Sequence, residues 1–404
     1  MTLISMKDAN GKQFALGLPQ NDPGDPLGVS VPVSQPLPAG RYTIAWRTAG
    51  TDGHPSHGTF SFVVLTQSAP PANGHVAAAV DTIGSGNGTA EPSTTGENGE
   101  ESDAASSISN SLARTFSFVG LLVLIGATAF RMLVLPRARV INSDIRARME
   151  QSAAVLGVAT SVLVIFGAFA RVYLESEMMS AMPGMQTMSM TDMAMHTRWG
   201  LALRLEIGAA LAALVSFGLA ARRFRGAWLV AGVAAIVLAV TPALAGHAAA
   251  SPRFTSLMIT SDFLHVLGGA SWLGNLLCVM LIGVPIALTL EGAERWQTVA
   301  SLVNAFSPVA LASAAVVGAS GVIASWVHLE HLSALWQTAY GQVLVLKLAL
   351  VAITLMIGAY NFRRVQPQLL NEGGSTRLRL SAAFELSVGF LILLVTGFLT
   401  GISP

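Results

Sequence analysis

Apolar and polar positions follow two different rhythms along this chain. From residue 112 onward, long apolar runs alternate with short polar connections. A helix that crosses a bilayer needs about 20 mostly apolar residues. Eight segments reach that length, at 113–135, 151–174, 199–220, 227–246, 259–288, 302–327, 340–362 and 378–401. The fifth and sixth are long, which predicts tilt, kinks near Pro285 and Pro308, or extension beyond the bilayer. Residues 1–66 instead carry short runs with partial alternation, as in RYTIAW (41–46) and GTFSFVVL (58–65), which predict β-strands. TAGTDGHPSHG between them reads as a turn-rich hairpin connection. Residues 67–111 are Ser, Gly, Thr, Asn, Pro and acids with almost no large apolar group, a flexible linker that cannot bury a core. The predicted fold class is mainly α: a polytopic membrane bundle of about eight helices over 112–404, with a Met-rich loop at 175–198, behind a small β domain at 1–66.

Composition agrees. Hydrophobic residues make up 52% and charged residues 11% of the chain, with a mean hydropathy of +0.59, whereas soluble domains carry about 25% charged residues. A net charge of +1 gives no case for nucleic-acid binding. The single cysteine, Cys278, excludes an internal disulfide framework and any CxxC motif. Neither GxxxxGK[ST] nor DKTG occurs, so ATP hydrolysis is not expected to drive the protein, and no enzymatic activity is expected. MTLISMKDANGKQ lacks the apolar core of a secretory signal.

Arginine placement predicts orientation. Arg137, Arg139, Arg146 and Arg148 follow the first span, Arg222, Arg223 and Arg225 the third, Arg295 the fifth, and Arg363, Arg364, Arg377 and Arg379 the seventh. The loops after the second, fourth and sixth spans are poor in arginine. The positive-inside bias therefore places the N-terminal domain, the Met loop and the C-terminus outside the cytoplasm. All eight histidines then lie on or near the outer face.

The candidate chemistry is soft. Met178, Met179, Met182, Met185, Met188, Met190, Met193 and Met195 fall in one stretch, followed at once by His196, while the rest of the chain holds the remaining seven of fifteen methionines. Thioethers favour Cu(I), and MxM, MxxM and MxMH spacings let several sulfurs reach one ion without regular structure. The alternative is an interfacial lid with Met as flexible filler, although the stretch contains no Leu, Ile or Phe. Asp52-Gly53-His54 offers oxygen and nitrogen suited to Cu(II), or is an ordinary turn. Asp262, His265 and Trp272 share one helix face, and an ionisable pair within a span is by default a functional candidate; a carboxylate orienting a structural His is the bland reading. His247 ends the fourth span. His328 and His331, one turn apart at the end of the sixth, could chelate one ion or cap a wet helix end. Lys347 and Glu385 suit bundle-facing roles, Arg204 suits snorkelling, and Glu206 could pair, snorkel or join a polar pathway. Cys278 is a packing residue or an inner Cu(I) ligand.

GHAAAS (246–251), DFLHVLGGASWLG (262–274), SG (320–321), YGQVLVLK (340–347), GAYN (358–361) and Glu385 resemble the CopD copper-resistance membrane family, in the right order over 112–401. LPAGRYTIAWRTAGTDGHPSHGTFSFVV (37–64) resembles the second half of a CopC-type copper-binding β-sandwich. That resemblance implies that Asp52 and His54 ligate Cu(II). It also implies a signal peptide and an N-terminal His that are absent here, so the expected domain is a truncated sandwich with unpaired strand edges. The expectation is copper uptake or relay by a CopC–CopD fusion. The partners are copper ions, the lipid bilayer and periplasmic copper carriers. The energy source would be passive, potential-driven or proton-coupled. Two other readings stay open: a membrane redox protein with a His-ligated haem or copper centre, and a non-transporting copper store or sensor.

Overall fold

A computed structural model describes residues 2–22, 25–49, 55–65, 97–180, 191, 194–195, 197–246, 254–328, 333–369 and 372–400. The chain divides into an N-terminal β unit and a helical unit, and each is described by itself.

The β unit contains β1 (Thr2–Asp8), β2 (Gln13–Phe14), β3 (Gln20–Asp22), β4 (Asp25–Ser30), β5 (Gly40–Ala49) and β6 (Pro55–Val64). Four strands form an antiparallel sheet in the order β2-β1-β5-β6, and β3 pairs with β4 separately. The pattern-bearing strands are β5 and β6, and they pair from Gly40↔Val64 to Ala49↔Pro55. Pairing thus consumes both ends of the expected 48–58 connection, because ladder hydrogen bonds override the local turn preference of its Ser, Gly and Pro. Met6 and Tyr42 are buried at the sheet's centre. The Tyr42 ring meets Phe14 edge-on at 5.3 Å and stacks on Phe62 at 5.6 Å. Its hydroxyl donates to Pro38 O at 2.7 Å, tying the entry of β5 to the strand itself.

The helical unit consists of α1 (Glu97–Ala129, continued by a π turn Phe130–Val134), α2 (Ser143–Ser180), α3 (Arg198–Ala221), α4 (Ala227–Ala245), α5 (Thr255–Ala287), α6 (Gly292–His328), α7 (Ala339–Tyr360, continued by a π turn Asn361–Val365) and α8 (Glu372–Leu399). All eight are long and apolar enough to cross a membrane, and they coincide with the eight predicted segments. α1 begins at Glu97, within the segment expected as linker. α2 runs on to Ser180, so Met178 and Met179 stand on its last turn and not in a loop. Thr197 and Thr338 start α3 and α7 by accepting from Gly200 N and Gly341 N, each at 3.0 Å.

The core lies where α1 to α6 meet, with Leu124, Phe130, Met149, Phe217, Leu238, Cys278 and Leu302 all buried. α5 is the central element and is not a simple helix. Two π turns, Ala270–Gly274 and Val279–Gly283, flank Asn275–Cys278. The second precedes Pro285, which lacks an N–H and would clash with the carbonyl four residues earlier; a widened turn absorbs that conflict. Pro308, in contrast, lies inside unbroken α6. The first π turn ends at Gly274, where α5 touches α1 backbone to backbone. A Cβ at Gly274 would lie 2.2 Å from Leu122 O, and one at Gly126 would lie 2.3 Å from Gly274 C. Small residues at a crossing allow this approach between membrane helices.

Gly274→Ala is therefore expected to destabilise the bundle by at least about 1–3 kcal/mol, the range for overpacking. Gly269→Ala, in the same helix with nothing within 4 Å of its would-be Cβ, should be neutral or stabilising by up to about 1 kcal/mol through helix propensity. Thermal unfolding of the detergent-solubilised variants measures the difference, and coincident melts would show that the α1–α5 contact is not close.

Candidate functional site

Two polar clusters lie along α5. The first surrounds His265, about 15 Å along the helix axis from Thr255. His265 Nδ1 is 3.0 Å from Ser320 Oγ on α6. The same hydroxyl lies 2.8 Å from Val316 O and 3.1 Å from Val317 O, both acceptors only. A hydroxyl has one proton to give. Spent on a carbonyl, it leaves Ser320 Oγ accepting from Nδ1–H. The roles at this contact depend on the tautomer, and the imidazole also engages the Val317 backbone; in the tautomer with the proton on Nδ1, Nε2 carries the lone pair that a metal ligand needs. Ser261 Oγ donates to Ser320 O at 3.0 Å and ties α5 to α6 beside the imidazole. Gly321 leaves room there, since a Cβ would sit 3.7 Å from His265 Cε1.

Lys347 of α7 is within electrostatic range of both His265 and Asp262, and Asp262 also acts on Tyr340. The inward role expected for Lys347 is what the structure shows. Ser320 meets the His265 ring, and Asp262 also acts on Lys347. A mid-helix Ser among apolar residues was the available signal for Ser320, and a Ser that only back-bonds its own helix would have looked the same.

The second cluster lies about 10 Å further along α5. Trp272 Nε1 donates to Glu385 Oε1 at 3.2 Å, and Asn361 Nδ2 donates to Glu385 Oε2 at 3.2 Å. Glu385 belongs to α8 and is buried, and Asn361 opens the π turn of α7. Sequence reasoning did not single out Asn361 as a partner, nor Asn275, although an amide inside an apolar segment is itself the signal. Cys278 sits in the apolar core, which favours its packing reading.

At the Met-loop end, Arg171 of α2 pairs with Glu206 of α3 at 2.5 Å, joining the two helices that bracket the methionines. Arg204 does more than snorkel. Its Nη1 donates to Ala194 O at 2.9 Å and Met195 O at 3.0 Å, and it reaches Met195 Sδ at 3.3 Å. Met195 is exposed. Met178, Met179 and His328 are placed on helices, but their side chains lie outside the described residues. Asp52, His54, Met182, Met185, Met188, Met190, Met193, His196, His247 and His331 lie outside the described residues altogether. Among the described residues no three His, Cys, Asp or Glu side chains gather into a metal-holding group. His265 and Asp262 are thus brought to one cluster, while His247 and the side chain of His328 lie outside the described residues.

Comparison with known proteins agrees with this architecture. Residues 1–65 match the family described as CopC domain, 105–252 the family described as copper resistance protein D-like, N-terminal domain, and 300–399 the family described as copper resistance protein D. The chain is a CopC–CopD fusion. α5 falls between the second and third matched segments, whereas its partners Ser320, Lys347, Asn361 and Glu385 lie in the third. The fusion is 28% identical over 166 residues to the copper transport protein CutJ of Bacillus subtilis (strain 168), a match covering 41% of this chain and 29% of that relative. The aligned part is thus under a third of the relative's length. No solved structure matches the chain. The eight apolar helices together with these matches make this a multi-pass membrane protein with the CopC–CopD arrangement.

The His265–Ser320 contact has a direct test. Ser320→Ala removes the acceptor that fixes the ring, and loss of such an outer partner typically weakens a metal site about 10–100-fold. Ser320→Thr keeps the hydroxyl and should retain affinity. Competition titration of Cu(I) against a chromophoric chelator, on variants with matched melting temperatures, reads the change; equal affinities in Ser320→Ala and the parent would remove His265 from the binding site.

Proposed function

We propose that this CopC–CopD fusion transports copper across the bacterial inner membrane, with the Met-loop end facing the periplasm, as a carrier and not an enzyme. The observation that carries the reading is His265: an imidazole at membrane depth, held through Nδ1, with a carboxylate one turn away. Nothing about packing requires such a group there, and its cost in an apolar medium favours a functional role. The Met-rich segment 178–195 gathers Cu(I), handed on by periplasmic copper carriers or taken from solution, through soft sulfurs that carry no charge to hold hard ions. His265 and the histidines at 196, 247, 328 and 331 then receive it. Asp52 and His54 provide a Cu(II) site on the CopC-type unit. Arginine asymmetry supports the orientation.

The test is uptake of radiolabelled copper under reducing conditions into proteoliposomes holding the full chain. We expect time-dependent accumulation above protein-free vesicles, lowered at least about tenfold by His265→Ala at equal protein incorporation. Tight binding without accumulation would make the protein a store or sensor, and a strong Soret band in the purified protein would make it a redox protein.

A further inference from the structure

The second cluster does something that copper ligation does not require. Glu385 is 3% exposed, and it is the one ionisable carboxyl or amine among the fully buried polar residues described. Both of its donors, Trp272 and Asn361, are neutral. The ion pairs described elsewhere join Arg131 to Glu150 and Arg171 to Glu206. Among the described residues, its hydrogen-bond partners are the indole of Trp272 and the amide of Asn361. Around it on α7, Lys347 is engaged with Asp262 and His265, while Tyr360, Arg363 and Arg364 are exposed. On α5, Asp262 and His265 lie toward the Met-loop end, and Cys278 is enclosed in the apolar core. On α8 itself, Arg377 and Arg379 are exposed.

This arrangement serves both charge states. As a carboxylate, Glu385 accepts from Trp272 and from Asn361 Nδ2. As an acid, it still accepts from Trp272 but needs an acceptor for its own O–H. Asn361 Oδ1 is buried without a partner, on the very amide already bonded to the carboxyl. Rotation of that amide exchanges a donor for an acceptor. Three residues past Trp272, Asn275 is fully buried with neither Nδ2 nor Oδ1 partnered. Buried amide atoms rarely stay unpaired without a reason, and Asn275 lies further along α5 in the direction away from His265.

We propose that Glu385 is a proton-carrying site that couples copper movement to a proton gradient. The carboxylate takes one proton from water on one side and releases it to water on the other, with Asn361 switching from donor to acceptor. No electron moves, and no bond other than O–H forms or breaks. The proposal rests on the reading of this chain as a copper transporter and supplies the driving force that the absence of ATP-hydrolysing motifs leaves open.

Proteoliposomes enclosing a pH-sensitive dye, with Cu(I) added outside under an imposed pH gradient, separate the two ideas. The wild type is expected to show copper-dependent proton flux and an uptake rate that responds to the gradient. Glu385→Gln should bind Cu(I) as the parent does, yet lose the proton flux and the response to the gradient. Asn361→Leu, which removes only the acceptor, should show the same loss with Glu385 in place. Failure of the wild type to accumulate any copper overturns the transport reading itself. Copper uptake by the wild type with no proton flux overturns the proton site alone and is decisive even if neither variant folds. A Glu385→Gln protein that still moves protons with copper overturns it equally.

Discussion

A bilayer offers no water to a polar side chain, so each one buried in a span must find its partner within the protein. α5 carries Asp262, His265 and Trp272 into that medium, and the neighbouring helices bring the groups that meet them. α6 contributes Ser320, α7 contributes Lys347 and Asn361, and α8 contributes Glu385. For three helices to reach one, α5 must be central. Its other side must then pack without bulk, and the Gly274–Gly126 crossing with α1 provides that. The π turns follow from the same demand. They widen α5 on either side of Asn275–Cys278, allowing the face that meets α1 and the face that meets α8 to be set separately.

The chemistry divides along the membrane normal. Soft, neutral thioethers cluster near one aqueous end, and a nitrogen donor waits deeper, beside a carboxylate already occupied by Lys347. In the proposed transport reading, a monovalent copper ion passing from sulfur to imidazole would enter a region whose fixed charges offset one another, and a site that releases its ion must not hold it too well. Arg171–Glu206 and the Arg204 contacts to Met195 brace the helices on which the Met-rich segment is mounted. The Glu385 cluster, with its spare Asn361 Oδ1 acceptor, then stands apart from His265 in both position and chemistry.

The eight spans were legible because about 20 apolar residues in a row have few alternatives, and the strands at 41–46 and 58–65 because alternation survives in them. What the sequence hid was pairing. Thr2–Asp8 has little period of its own, yet it forms a long ladder with β5. The Ser-Gly-Pro composition of 48–58 reads as turn, yet most of it is strand. In the membrane unit, the resemblance to the CopD family picked out DFLHVLGGASWLG, SG, YGQVLVLK, GAYN and Glu385 as separate fragments. The fold shows them to be one neighbourhood, with His265 on Ser320, Asp262 near Lys347, and Trp272 and Asn361 on Glu385. Spacing along a helix predicts which side chains share its face but not what another helix brings opposite, and so the Ser320 contact to His265 was not legible.

The central claim is that copper enters the membrane interior at His265 and does not stop at the Met-rich segment. Anomalous diffraction at the copper edge, from crystals of the full chain loaded with Cu(I), addresses it directly. The account predicts a peak within bonding distance of His265 Nε2, in addition to sulfur-bound copper near 178–195. Peaks confined to the methionines, with the imidazole of His265 free of metal at saturating copper, would contradict it.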